Sequence, residues 1–167
     1  MRKQLLRSLT LALTVSTLVG TTSAFAADCR ATKSVKDSAA SVSANTAAGG
    51  HVSIHVKGNK TEAGKSQFQS EADYKSAWTA WVNYTGPKGP TPKVCGGGGG
   101  TMMDCVPADL VGLGTNKGYV CQEVDKNGMC TKGYNFTPSK VAFRYAKNDK
   151  GVWILNTAYP SANDSCA

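Results

Sequence analysis

Beyond residue 26 the chain has no run approaching the roughly 20 apolar residues that a bilayer-spanning helix needs. It has no Cys-x-x-Cys, and only two of its 167 residues are histidine. The first absence excludes a helical membrane span from the rest of the sequence. The second leaves a structural zinc site without its usual ligand spacing, because both histidines are also far from the cysteines in sequence. Negative charge is scarce as well: 11 acidic residues stand against 19 Lys and Arg, for a net charge of +8. Two loop motifs are begun and not completed. CGGGGGTMMDC (95–105) has the glycines of a phosphate loop, but no Gly-Lys-Ser/Thr follows to bring an amine and a hydroxyl to phosphate. This stretch reads as a flexible loop between Cys95 and Cys105. Asp125-Lys126-Asn127-Gly128 opens like a calcium loop and lacks the later acidic ligands, so it reads as a turn. No cofactor and no metal is expected.

What is present begins with an address. Arg2, Lys3 and Arg7 precede an apolar stretch from Leu9 to Val19, and Ala24-Phe25-Ala26 supplies a small-x-small cleavage site. That is the pattern of a secretory signal peptide over 1–26. Its removal takes three positive charges with it and brings the +8 to +5. The remaining excess favours acidic partners, nucleic acid among them. All six cysteines follow residue 26, and an even count in an exported chain reads as a disulfide framework. The shortest loops would pair Cys95 with Cys105 and Cys121 with Cys130, leaving Cys29 and Cys166 to join the termini. The location expected is secreted or periplasmic.

Residues 27–48 are rich in Ala, Ser, Thr and Lys and are expected to form a loosely docked helix or a mobile lead-in to one domain over 49–167. Ser70 followed by Asp73 resembles a capping box, and Tyr74, Ala77, Trp78, Trp81 and Val82 then recur on one face of a helix starting near Glu71. Gly118 to Val124 reads as a strand. In the last third, Val141, Phe143 and Tyr145 alternate with Ala142, Arg144 and Ala146, Asn148-Asp149-Lys150-Gly151 makes a turn, and Val152 to Tyr159 runs to a stop at Pro160. The fold class expected is α+β: N-terminal helices followed by a twisted antiparallel sheet, stabilised by disulfides.

Both histidines fall in GGHVSIHVK (49–57), where a spacing of four sets His51 and His55 on one face of either a helix or a strand. Alternation of Val52, Ile54 and Val56 with His51, Ser53, His55 and Lys57 favours a strand. Such a face could hold a metal, sense pH, or pair an acid and base with a cation for phosphate. Thr157 and Tyr159, two apart on the last strand, should likewise project together.

These fragments resemble, in order, the motifs of one family. GGHVSIHVKG (49–58), KSQFQSEADYKSAW (65–78) and GVWILNTAYP (151–160) are similar to segments of the bacterial RNase A-like toxin domains found at the C-termini of contact-dependent inhibition proteins. The resemblance spans 49 to 160, with nothing matched between Pro87 and Lys140. It implies an RNase A-like body and a metal-independent ribonuclease that cleaves single-stranded RNA by attack of the 2′-OH. His51, Thr157 and Tyr159 would surround the scissile phosphodiester. The second acid/base position falls to His55, Lys57, Lys60 or Lys65, and Lys57, Lys65 and Ser66 would bind substrate. RNA is the implied partner, and an immunity protein a further one. The runner-up expectation is a binding module of the same fold that does no chemistry.

Overall fold

The computed structural model describes residues 27–96 and 101–166; the expected signal peptide and the last four glycines of the 96–100 run lie outside them. Two short helices open the described chain, α1 (Lys33–Ala39) and α2 (Val42–Ala47), and a longer one, α3 (Glu71–Asn83), follows. The eight strands are β1 (Ala27–Asp28), β2 (Ser66–Phe68), β3 (Val94–Cys95), β4 (Met102–Pro107), β5 (Gly118–Val124), β6 (Cys130–Phe136), β7 (Lys140–Lys147) and β8 (Trp153–Ser161). They form three antiparallel sheets, ordered β1-β3, β2-β5-β6 and β4-β7-β8. The architecture is mixed α+β.

Helix α3 starts where the capping residues place it. Ser70 Oγ accepts from the Asp73 N–H at 3.1 Å and donates to its carboxylate at 2.8 Å, and Glu71 and Asp73 set negative charge in the first turn. The stripe is core: Tyr74, Ala77, Trp78 and Trp81 are buried. At the far end Arg30 donates to the carbonyls of Trp81 (2.6 Å) and Tyr84 (2.9 Å), adding to the capping bond that the Tyr84 N–H makes to the Trp81 carbonyl.

Residues 27–48 are not a loose lead-in. Cys29, Val35, Ala39 and Asn45 are fully buried. The Ser38 hydroxyl takes the Leu155 N–H at 2.9 Å, and Ser34 donates to the Trp153 carbonyl at 2.7 Å. The small side chains that made the segment look featureless let α1 approach β8 closely enough to hydrogen-bond its backbone. Much of the expected loop after Cys95 is also ordered. Strand β4 pairs with β7 residue by residue from Met102↔Tyr145 to Pro107↔Lys140, and its Asp104 is buried. The Asp104 carboxylate accepts from Trp81 Nε1 (3.0 Å), the Tyr145 hydroxyl (2.8 Å) and the Lys93 N–H (2.8 Å).

Of the expected disulfides only Cys121–Cys130 forms; the others are Cys29–Cys95 and Cys105–Cys166. Strand pairing overrides loop length. Ala27 lies opposite Cys95, which carries Cys29 to its partner. Cys105, Ala142 and Tyr159 lie in line across β4-β7-β8, and the tail returning past Tyr159 brings Cys166 to Cys105. These two bridges close separations of 66 and 61 residues, each worth about 4 kcal/mol if the gain is loss of unfolded-chain entropy. Three disulfides suit an oxidising extracellular or periplasmic setting. Among the described residues no helix is long and apolar enough to cross a membrane.

The β7–β8 hairpin turns at 148–151 as its sequence indicates, but β8 continues through Pro160 to Ser161. A proline fits there because β8 is an edge strand of its sheet. The register also slips: Arg144 faces Thr157 and the next residue, Tyr145, faces Leu155, so Asn156 is an extra residue in a β-bulge.

Candidate active site

The glycine pair before His51 has two separate causes. Gly49 sits at φ +91°, the left-handed conformation that ends α2. Gly50 has no room for a side chain, since a Cβ there would run into the buried Asn45 amide. That amide holds the segment in place: Nδ2 donates to the Leu155 carbonyl at 2.6 Å, and Oδ1 accepts the Val52 N–H at 2.9 Å. The His51 N–H donates to the carbonyl of bulge residue Asn156 at 2.6 Å. Helix end and bulge together thus fix the backbone that presents the first imidazole. Gly50→Ala should destabilise the fold by about 1–3 kcal/mol through overpacking. Gly114→Ala, where a methyl meets nothing, is the control; equal urea midpoints for the two variants would rule this account out.

After His51 the chain does not extend into the expected strand. Val52–His55 forms a single 3-10 turn: the His51 N–H goes to the bulge carbonyl of Asn156 on β8 and the next N–H, that of Val52, to the Asn45 side chain, so no strand ladder continues. Carbonyls of the turn are taken by side chains: Thr61 donates to Ile54 at 2.7 Å, and Gln67 reaches Ile54 at 3.1 Å and Val56 at 3.4 Å. Sheet-like pairing starts only at the Val56–Phe68 bridge. Three residues per turn set His55 on the side of Val52, and both are buried.

The two imidazoles line one cleft of about 480 Å³ in different states. His51 is exposed at its rim. His55 is 8 % exposed, its ring centroid 5.0 Å from that of Tyr159. Its Nδ1 lies 2.7 Å from the Ser66 carbonyl, which can only accept, so Nδ1 carries the proton and Nε2 keeps its lone pair. Burial lowers the His55 pKa to about 4, against a raising contribution from the Ser66 bond; the positive charges of Lys65 and Arg144 lower it further.

Thr157 and Tyr159 enter the same cleft from β8, Lys65 and Ser66 from β2 and the residue before it, and Arg144 from β7. Thr157 Oγ1 is buried and has no hydrogen-bond partner among the described residues. The Tyr159 hydroxyl donates to the Cys166 carbonyl at 2.8 Å and accepts from Arg144 Nε at 3.1 Å. Lys65 pairs with Glu62 at 3.4 Å. Lys57 stands apart from the cleft, its Nζ 4.2 Å from the centre of the Tyr119 ring and 3.3 Å from Gln69 Oε1. Lys60 is exposed, at an isolated bridge to Met129.

Two residues of the site carry no motif. Arg144 stands on the polar side of the β7 alternation, directly opposite Thr157; register counted back from the 148–151 turn offers a signal for it. Asn45 lies in a run of small residues and gives none. Among the described residues no group of three or more His, Cys, Asp or Glu is arranged to hold a metal. The cleft therefore gathers two imidazoles, a guanidinium, an amine and an unpartnered hydroxyl, with no carboxylate in its lining, a set of groups suited to an anion and to proton transfer. Comparison with protein-family models, with curated proteins and with solved structures finds no match for this chain.

Proposed function

We propose that the protein is an exported ribonuclease that cleaves single-stranded RNA without a metal, on an RNase A-like body. The observation that carries this reading is the carboxylate-free cleft in which His51, His55, Arg144 and the unpartnered Thr157 hydroxyl converge. His55, neutral with its lone pair on Nε2, accepts the proton of the ribose 2′-OH. The 2′-oxygen forms a bond to phosphorus as the P–O5′ bond breaks, and His51 supplies a proton to the departing 5′-oxygen. The products are a 2′,3′-cyclic phosphate and a 5′-hydroxyl. Arg144 and Thr157 stabilise the charge that builds on the phosphoryl oxygens, Tyr159 holds the guanidinium in position, and Lys65 and Ser66 border the bound strand. An immunity partner would have to cover this cleft.

The direct test incubates the oxidised protein with RNA in excess EDTA and follows cyclic-phosphate termini. Cleavage should proceed; none between acid and neutral pH would count decisively against the reading. Thr157→Val sharpens the test. It replaces an unpartnered buried hydroxyl by a methyl, so stability should rise by about 1 kcal/mol while the cleavage rate falls. One observation favours a second reading, a non-catalytic module that holds an anionic ligand: a histidine with a pKa of about 4 is a weak base at neutral pH. Binding of RNA without cleavage would select it.

A further inference from the structure

We propose that the cavity beside the cleft is a second phosphate subsite, so that the ligand is an oligonucleotide spanning at least two phosphodiesters. The inference rests on the cleft binding a nucleic acid, as proposed above. A cavity of about 390 Å³ lies between the C-terminal end of α2 and the β7–β8 turn, and it shares His51 and Asn156 with the cleft. Its two walls are fastened together. Asn148 donates to the Ala48 carbonyl at 3.0 Å, and its Oδ1 accepts the N–H groups of Lys150 and Val152, each at 3.1 Å. Lys147 and Lys150 are thereby carried on a turn held against the helix end.

Only four of the described lysines are held in ion pairs, and those on that turn are not among them. Lys33, Lys65, Lys117 and Lys132 each pair with a carboxylate. Among the described residues Lys147 and Lys150 have no ion-pair partner, although both are exposed and line the cavity with Asp149 as its one acid. Lys147 Nζ lies 5.6 Å from the centre of the Trp153 ring, which supports its stem beside the opening. A nucleic acid strand carries one negative charge per residue. A phosphate held at His51 and Arg144 therefore brings the next one along the strand toward the rim that the two cavities share. A mononucleotide would leave these amines unused.

The test is equilibrium binding of labelled oligodeoxynucleotides, two and four nucleotides long, to the full oxidised protein by fluorescence anisotropy; without a 2′-OH they cannot be cleaved by the proposed route. The wild type should bind the longer probe at least about tenfold tighter. Lys147→Gln/Lys150→Gln should lose that preference, with a salt dependence shallower by about 0.7 per phosphate contact removed. Lys150→Gln alone, a change at an exposed turn residue, should fall between. Equal binding of the two lengths by the wild type, no binding of either, or a length preference kept by the double variant would overturn the subsite. Because the probes are not substrates, loss of the ribonuclease reading in the RNA assay is a separate result: cleavage without length preference removes only the subsite, and length preference without cleavage removes only the chemistry.

Discussion

Replacing His51 by alanine should lower the rate of the proposed RNA cleavage by about 10²- to 10⁴-fold, the usual contribution of a positioned general acid or base. The fold should survive, because the segment is held by backbone: the His51 N–H bonds to Asn156, and Asn45 anchors Val52 and Leu155 on either side. The exposed imidazole itself makes no hydrogen bond among the described residues, so little packing is lost. Initial rates in EDTA, with circular dichroism and a urea midpoint for each variant, separate chemistry from folding. Lys126→Ala, in the turn at 125–128 and outside the cleft lining, is the control for non-specific loss of positive charge. A His51→Ala rate within tenfold of wild type would remove this imidazole from the reaction.

The sequence was most legible where a pattern is local. Ser70 with Asp73 and the aromatic stripe identify α3, alternation and a turn identify β7–β8, and a spacing of two carries Thr157 and Tyr159 to one cleft. It misled where distant pairing decides the outcome. GGHVSIHVK alternates as a strand does, yet its amides bond to a buried asparagine and a bulge, leaving a 3-10 turn that buries His55 and carries Lys57 away to Tyr119. Short-range pairing held for Cys121 and Cys130 but failed for Cys95 and Cys105 for the same reason, since β1–β3 and the returning tail bring together residues more than 60 positions apart.

The bulge at Asn156 links these points. It offsets β8 by one residue between Leu155 and Thr157, so Thr157 faces Arg144 while the Leu155 and Asn156 carbonyls meet the segment that carries His51. No composition rule marks Asn156 in advance, because an unpaired ladder residue is a property of two strands in register and not of either alone.

Burial of His55 makes a large prediction for stability. Its imidazole titrates near 6.5 in the unfolded chain and at about 4 in the folded one. Between those values the unfolded chain binds the additional proton, so the stability that rests on neutral His55 is fully present above pH 6.5 and is lost as pH falls toward 4. The loss amounts to about 3 kcal/mol. Asp104 works in the opposite direction, since burial raises its pKa in the folded state and acid then favours folding. A single pH titration of the wild type therefore mixes the two, and the comparison must be made against His55→Asn, which keeps an N–H near Nδ1 for the Ser66 carbonyl but cannot titrate. Urea unfolding at neutral pH and near pH 4 should show the wild type losing about 3 kcal/mol more than the variant, whatever the variant costs through lost packing on Tyr159. Parallel pH profiles for the two proteins would mean that His55 is not held neutral, and the role of its Nε2 as proton acceptor would go with it.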